Sequence, residues 1–325
     1  MFLSRLKHVS ATLILMACGM ALAGQQAAPA PKTIRFAALK GPSGIGLVRL
    51  FETPPSLPNA TVQMLALPSA DLMAAKVISG ELDVAVLPVN LAAKLRSAGV
   101  PIVLAAIVGD GMVSLLTSDP AVKGLADLKG KELFVAGQGA TPDFLMQRLL
   151  AKAGLDPAKD LKLSYSLPYP EMAAALATGK IQYAVLPEPF ATLALSANPA
   201  LKAPVDLGEL WKAATGQASY PMTALVVGSR LAAERPDAVK ALLAACSASI
   251  AWVKAEPAEA GLLVEKNDLG LKAPVATKAI PRSAYVFVAA PAARPAVEAL
   301  LKVFLDTAPA SIGGKLPDDA FYAAF

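Results

Sequence analysis

Glu188 and Asn90 stand one and two residues after the shared proline in two copies of one sequence element, and they carry the chain's clearest polar chemistry. The copies read "SGELDVAVLPVNLA" (Ser79 to Ala92) and "TGKIQYAVLPEPFA" (Thr178 to Ala191). Gly80 and Gly179 lie 99 positions apart, as do Pro88 and Pro187. After the proline the copies diverge, to Val89-Asn90 in one and Glu188-Pro189-Phe190 in the other. A carboxylate there accepts charge-assisted hydrogen bonds from an amine or a heterocycle N–H. An amide both donates and accepts. Each has a local alternative: Glu188 caps the next helix or pairs across its lobe, and Asn90 caps the helix of "LAAKL".

The other candidates carry similar alternatives. Ser43 and Ser69 either cap a helix or touch a ligand. Gln138 and Thr141 lie on the glycine-rich "GQGAT", which does not complete a G-x-G-x-x-G nucleotide motif. Tyr169, Phe190 and Tyr220 sit near strand ends, where they stack on a flat ligand or pack the core. Asp110, between two glycines, reads as a turn residue.

Residue counts exclude much catalytic chemistry. The single histidine is His8, and the two cysteines are Cys18 and Cys246. With the leader removed, zinc sites built on Cys and His are ruled out. So are Ser-His-Asp and Cys-His catalysis. Cys246 lies in a helical stretch and reads as a small core residue. No cofactor and no metal are expected.

The elements that position these residues alternate. "TIRFAAL", "TVQMLAL", "LDVAVL" and "PIVLAAIV" read as strands, separated by helices such as "IGLVRLFE", "ADLMAAKVISG" and "NLAAKLRSAG". The rhythm restarts with "KELFVAG", "LKLSYSL" and "IQYAVL". In the helix after "GQGA", Thr141 is the expected N-cap, Pro142 the first helical residue and Asp143 part of the first turn. Phe36 to Gly41, "FAALKG", matches Phe134 to Gly139, "FVAGQG", at an offset of 98. Strand, helix, strand in this order predicts right-handed βαβ units and parallel sheets. The expected fold is therefore α/β, two doubly wound lobes. Lobe one takes residues 33–110 and 223–325, and lobe two residues 111–222. "VGDGMVSLLTSDP" and "YPMTALVVGSR" make the two crossings of a hinge. Ligands in open α/β sheets bind beyond the carboxyl ends of the strands, so the strand-end loops of both lobes should line one cleft that closes by hinge motion.

Composition and the N-terminus fit a secreted chain. The chain has 325 residues, 55% of them hydrophobic and 17% charged, with formal charge +5. Mean hydropathy is +0.51. After the N-terminus the longest apolar run, "VPIVLAAIV", is short for a bilayer span and reads as a buried strand. Scattered Lys and Arg without interleaved aromatics argue against nucleic-acid binding. "MFLSRLKHVSATLILMACGMALAG" has the basic start and apolar core of a secretory signal. Within it "LMAC" resembles a lipobox, which would make residues 1–17 a signal and Cys18 the lipidated residue. Cleavage after "ALA" (Ala21 to Ala23) is the alternative. "GQQAAPAPK" then reads as a tether ending at Lys32.

The lipobox-like signal, the two alternating lobes, and "DLKGKELFVAGQGATPDFL", "KAGLDPAKDLKLSY" and "AAALATGKIQYAVLPEPFAT" together resemble ABC-transporter substrate-binding proteins of the nitrate/sulfonate/taurine and thiamine-pyrimidine type. The resemblance implies the type II periplasmic binding protein-like fold and an extracytoplasmic, lipid-anchored monomer. It also implies delivery of a small molecule to a membrane permease and its ATPase. Glu188 turns the ligand expectation towards N–H donors, meaning a nitrogen heterocycle or an amine-bearing acid, with nitrate, sulfonate or taurine as the alternative. An enzyme of the same fold, a dehydratase or lyase, and a sensor are the other two functional readings. The histidine and cysteine-rich motif of the biosynthetic thiamine-pyrimidine enzyme are missing here.

Overall fold

The computed structural model describes residues 32–57, 59–135 and 137–325. The signal, Cys18 and all of the tether before Lys32 lie outside the described residues.

Ten strands are described: β1 (Lys32–Leu39), β2 (Ala60–Leu67), β3 (Val84–Pro88), β4 (Ile102–Asp110), β5 (Val113–Thr117), β6 (Glu132–Val135), β7 (Lys162–Ser164), β8 (Tyr183–Pro187), β9 (Pro221–Gly228) and β10 (Tyr285–Ala289). They form a six-stranded sheet, β10-β4-β9-β3-β1-β2, and a four-stranded sheet, β5-β8-β6-β7.

The repeated element builds the same unit in each sheet. The preceding helix, Ala70–Ile78 or Tyr169–Ala177, ends in a left-handed glycine, Gly80 (φ 75°) or Gly179 (φ 73°). Two backbone bonds close each end: Gly80 N to Val77 O and Glu81 N to Lys76 O, then Gly179 N to Leu176 O and Lys180 N to Ala175 O. That is a Schellman stop, which a residue with a Cβ would strain. The apolar strand follows, buried throughout in β8 and up to Leu87 in β3. β3 lies between parallel β1 and antiparallel β9, and β8 between parallel β6 and antiparallel β5.

The antiparallel strands correct the sequence reading. Wholly parallel sheets were expected, yet β5, β9 and β10 all run against their neighbours. β5 and β9 are where the chain enters the second sheet and returns to the first, so their direction follows from the crossings. "IGLVRLFE" is also not one helix: Pro42–Gly46 and Val48–Glu52 are separate turns broken at Leu47.

Gly111 N donates to Tyr220 O at 3.1 Å, so the two crossings are tied together. Behind them the apolar interior is continuous from one lobe to the other. Phe144 of helix Thr141–Lys152 meets Phe304 of helix Ala290–Thr307 with ring centroids 4.5 Å apart, and both rings are buried. The helix Pro236–Ala255 is long and apolar enough to cross a bilayer. Its stripe of Val239, Leu242, Cys246, Ile250 and Val253 is instead buried in the larger lobe's core.

Candidate functional site

The carboxyl ends of β1 and β3 bring Ser43 and Asn90 to the larger lobe's side of the cleft. Ser43 is buried, and its Oγ accepts from Leu39 N at 3.0 Å, so it ties the end of β1 to the turn after it. Ser69 is exposed at the end of β2 and accepts from Leu72 N at 3.3 Å, capping the helix Ala70–Ile78.

Asn90 does not cap its helix. Pro88 is the N-cap of Val89–Ser97, and Asn90 is the helix's second residue. This frees the amide: Nδ2 donates to Gly139 O of the smaller lobe at 3.1 Å. Only the NH2 of an amide can donate to a carbonyl, so that bond fixes which end is oxygen. Asn90 Oδ1 is then a buried acceptor without a partner. Buried polar atoms are nearly always paired, and an orphan calls for an explanation.

The facing side starts at the turn Gly137–Ala140. Gln138 is exposed on it. Thr141 also departs from expectation: Ala140 is the N-cap, Thr141 is the first helical residue and Pro142 the second. Thr141 Oγ1 is buried and has no hydrogen-bond partner. Tyr169 and Phe190 stack, with centroids 5.3 Å apart and planes 25° apart. The Tyr169 hydroxyl lies over Gly137, where a Cβ would approach it to 2.7 Å. Burial pushes that hydroxyl's pKa up to about 12. Phe190 Cζ is 3.9 Å from where a Cβ on Gly41 would stand, so the stacked pair reaches the larger lobe.

Glu188 serves the next helix, as the sequence allowed, and pairs with the facing lobe instead of across its own. Its side chain is 3% exposed. Oε2 accepts from Thr192 N at 3.0 Å, in the first turn of helix Phe190–Ala197, and Oε1 accepts from Arg282 Nε of the larger lobe at 2.9 Å. The carboxylate is therefore neutralised by a cation of the protein itself. Tyr220 is a core residue of the crossing: it is 1% exposed, stands edge-on to Trp211 at 5.7 Å, and accepts from Val113 N at 3.4 Å. Burial raises its pKa. Asp110, in the same crossing, also has its pKa raised by burial, and its buried Oδ1 has no hydrogen-bond partner.

Arg282 and Tyr285 were not singled out in the sequence. Arg282 ends the short turn Ile280–Arg282 and Tyr285 opens β10, a strand with no repeated copy to mark it. Tyr285 is buried with its hydroxyl unpartnered. The site thus combines an orphaned amide oxygen, two orphaned hydroxyls, a stacked aromatic pair and a cross-lobe ion pair. This set suits non-covalent holding of a small polar molecule with a flat or apolar body.

Two α/β lobes, each with an antiparallel strand paired to the strand of the repeated element, joined by two crossings and facing each other through strand-end loops, define the type II periplasmic binding protein fold. The chain belongs to the NMT1-like family, whose model matches residues 57–265. Among solved structures it is similar to one described as an ABC transporter from Parabacteroides distasonis, with TM-score 0.79 and 30% identity over 90% of this chain and 99% of that one. It shares its fold with the periplasmic aliphatic sulphonate binding protein SsuA from Escherichia coli, at TM-score 0.68 and 19% identity over 90% of this chain and 91% of that one. The nitrate/nitrite binding protein NrtA of Nostoc sp. is 29% identical over 142 residues, which is 43% of this chain and 30% of that protein. The match therefore spans less than a third of that curated relative's length.

Proposed function

We propose that this chain is the extracytoplasmic solute-binding component of an ABC importer, closing on a small organic ligand that carries N–H or O–H donors. The observation that carries the reading is Asn90. Its Nδ2 is used across the cleft, and its Oδ1 is buried at the lobe interface with nothing to accept from. A ligand donor placed there would relieve a buried unsatisfied acceptor, which otherwise costs about 1–3 kcal/mol. The basis for an N–H-bearing ligand thereby moves from Glu188, whose oxygens both have protein donors, to Asn90 and Thr141. The stacked Tyr169 and Phe190 favour a flat or apolar body, as in a nitrogen heterocycle. An amine-bearing acid such as taurine satisfies the same acceptor. Nitrate has no donor to offer it. The relatives, named as nitrate and sulphonate binding proteins, support binding over catalysis as the role.

The test is a thermal-shift and calorimetric screen of pyrimidines, taurine, ethanesulfonate and nitrate against the purified protein. A donor-bearing solute should raise Tm. At ~100 times its Kd the gain is about 2.7 kcal/mol. Asn90→Ala should weaken that binding about tenfold or more. Tight nitrate binding that Asn90→Ala leaves unchanged would overturn the ligand reading. Turnover of any bound solute would overturn the role.

A further inference from the structure

Asp143 is a buried carboxylate, 3% exposed, that the site as described leaves unused. An acidic residue in a helix's first turn ordinarily serves that helix's own free N–H groups and dipole. This one reaches backwards. Its Oδ2 accepts from Gly139 N at 2.9 Å, in the turn before the helix. Its Oδ1 accepts from Gln147 Nε2 at 2.7 Å, one helical turn on, and from the Tyr165 hydroxyl at 2.7 Å, beyond β7. Three donors from three parts of the lobe fix the carboxylate, and a fully satisfied buried network is rigid.

Gly139 is the residue that Asn90 grips from the other lobe. Asp143 holds its N–H and Asn90 holds its carbonyl. Within the turn itself the backbone bond is Ala140 N to Gly137 O, at 2.9 Å. With glycines at 137 and 139 the turn has several accessible shapes, so an outside grip is needed to select one.

We infer that Asp143 is a positioning residue for lobe closure: it holds Gly139 so that the carbonyl meets Asn90, with Tyr165 and Gln147 bracing it from behind. The inference rests on the reading that the cleft closes on a ligand, but its test needs no ligand. Spin labels on Ser79→Cys and Lys180→Cys, both exposed and on opposite lobes, report lobe separation in the ligand-free full chain carrying Cys18→Ser, and Cys246 is buried. The wild type should show a short-distance, closed population. Asp143→Ala and Asn90→Ala should each lower it about three- to tenfold, the range expected for losing one hydrogen bond. The double variant should lower it no further, because both changes remove the same contact. Tyr165→Phe should give a smaller loss in the same direction, which keeps the test informative if Asp143→Ala does not fold. A wild type without the closed population, an Asp143→Ala distance distribution like the wild type's, or losses that multiply in the double variant would each overturn the inference. Failure of every solute in the binding screen would leave these distances unchanged, so the two failures are distinguishable.

Discussion

Glu188 and Arg282 meet across the cleft at 2.9 Å, one side chain 3% exposed and the other 47%. The carboxylate is the buried partner and the guanidinium the wet one. Burying a charge is costly unless it is paired, and removing only one partner of such a pair costs more than the pair is worth.

Arg282→Ala should therefore destabilise more than Glu188→Gln. With the arginine half in water, the expected loss for Arg282→Ala is about 1–3 kcal/mol. Urea unfolding of both single variants and the double variant checks this, and the double should recover part of the loss. A stability for Arg282→Ala equal to wild type would mean that the pair does not form in solution.

Phe304 and Phe144 make the apolar contact behind the hinge. Phe304→Ala should leave a cavity and cost about 3–5 kcal/mol, and Phe304→Leu less. Because the contact joins helices of the two lobes, the alanine variant should also broaden the calorimetric unfolding transition. A change within about 0.5 kcal/mol would show that the two rings do not pack as described.

Asp119 provides an acid-limb prediction. Its pKa is lowered from 3.8 to about 2 by hydrogen bonds from the Tyr183 hydroxyl, the Ala121 N–H and Lys131, in that order. A depressed folded-state pKa adds stability that is present above the unfolded value and is lost as pH falls through the folded one. Wild type should exceed Asp119→Asn in Tm above pH 4, and the gap should close between about pH 4 and pH 2. Melting curves from pH 7 down to pH 2 measure it. A gap that stays constant over that window would exclude the ionised contact.

Much of the fold was legible in the sequence because it depends on local rules. A left-handed glycine stops a helix, a run of Ala, Val and Leu makes a buried strand, and Ser69 caps the helix that follows it. These preferences act within a few residues, so the two copies of Ala-Val-Leu-Pro marked the same helix-stop and strand unit in each of the two sheets. The β10 strand was missed because no repeat and no strong turn signal frames it. Thr141 was misplaced by one residue, since capping geometry depends on the backbone before it.

What the sequence by itself determined is the alternation and the duplication. Only the tertiary structure decided what the polar residues do. Asn90, read as a ligand contact or a helix cap, is a cross-lobe donor and not a cap, and Tyr220 lies in the core of the crossing. Glu188 found Arg282, 94 positions further along the chain. The reason is physical: backbone preference is local, whereas the partner of a buried amide or carboxylate is whichever group the packing of two whole lobes brings within about 3 Å.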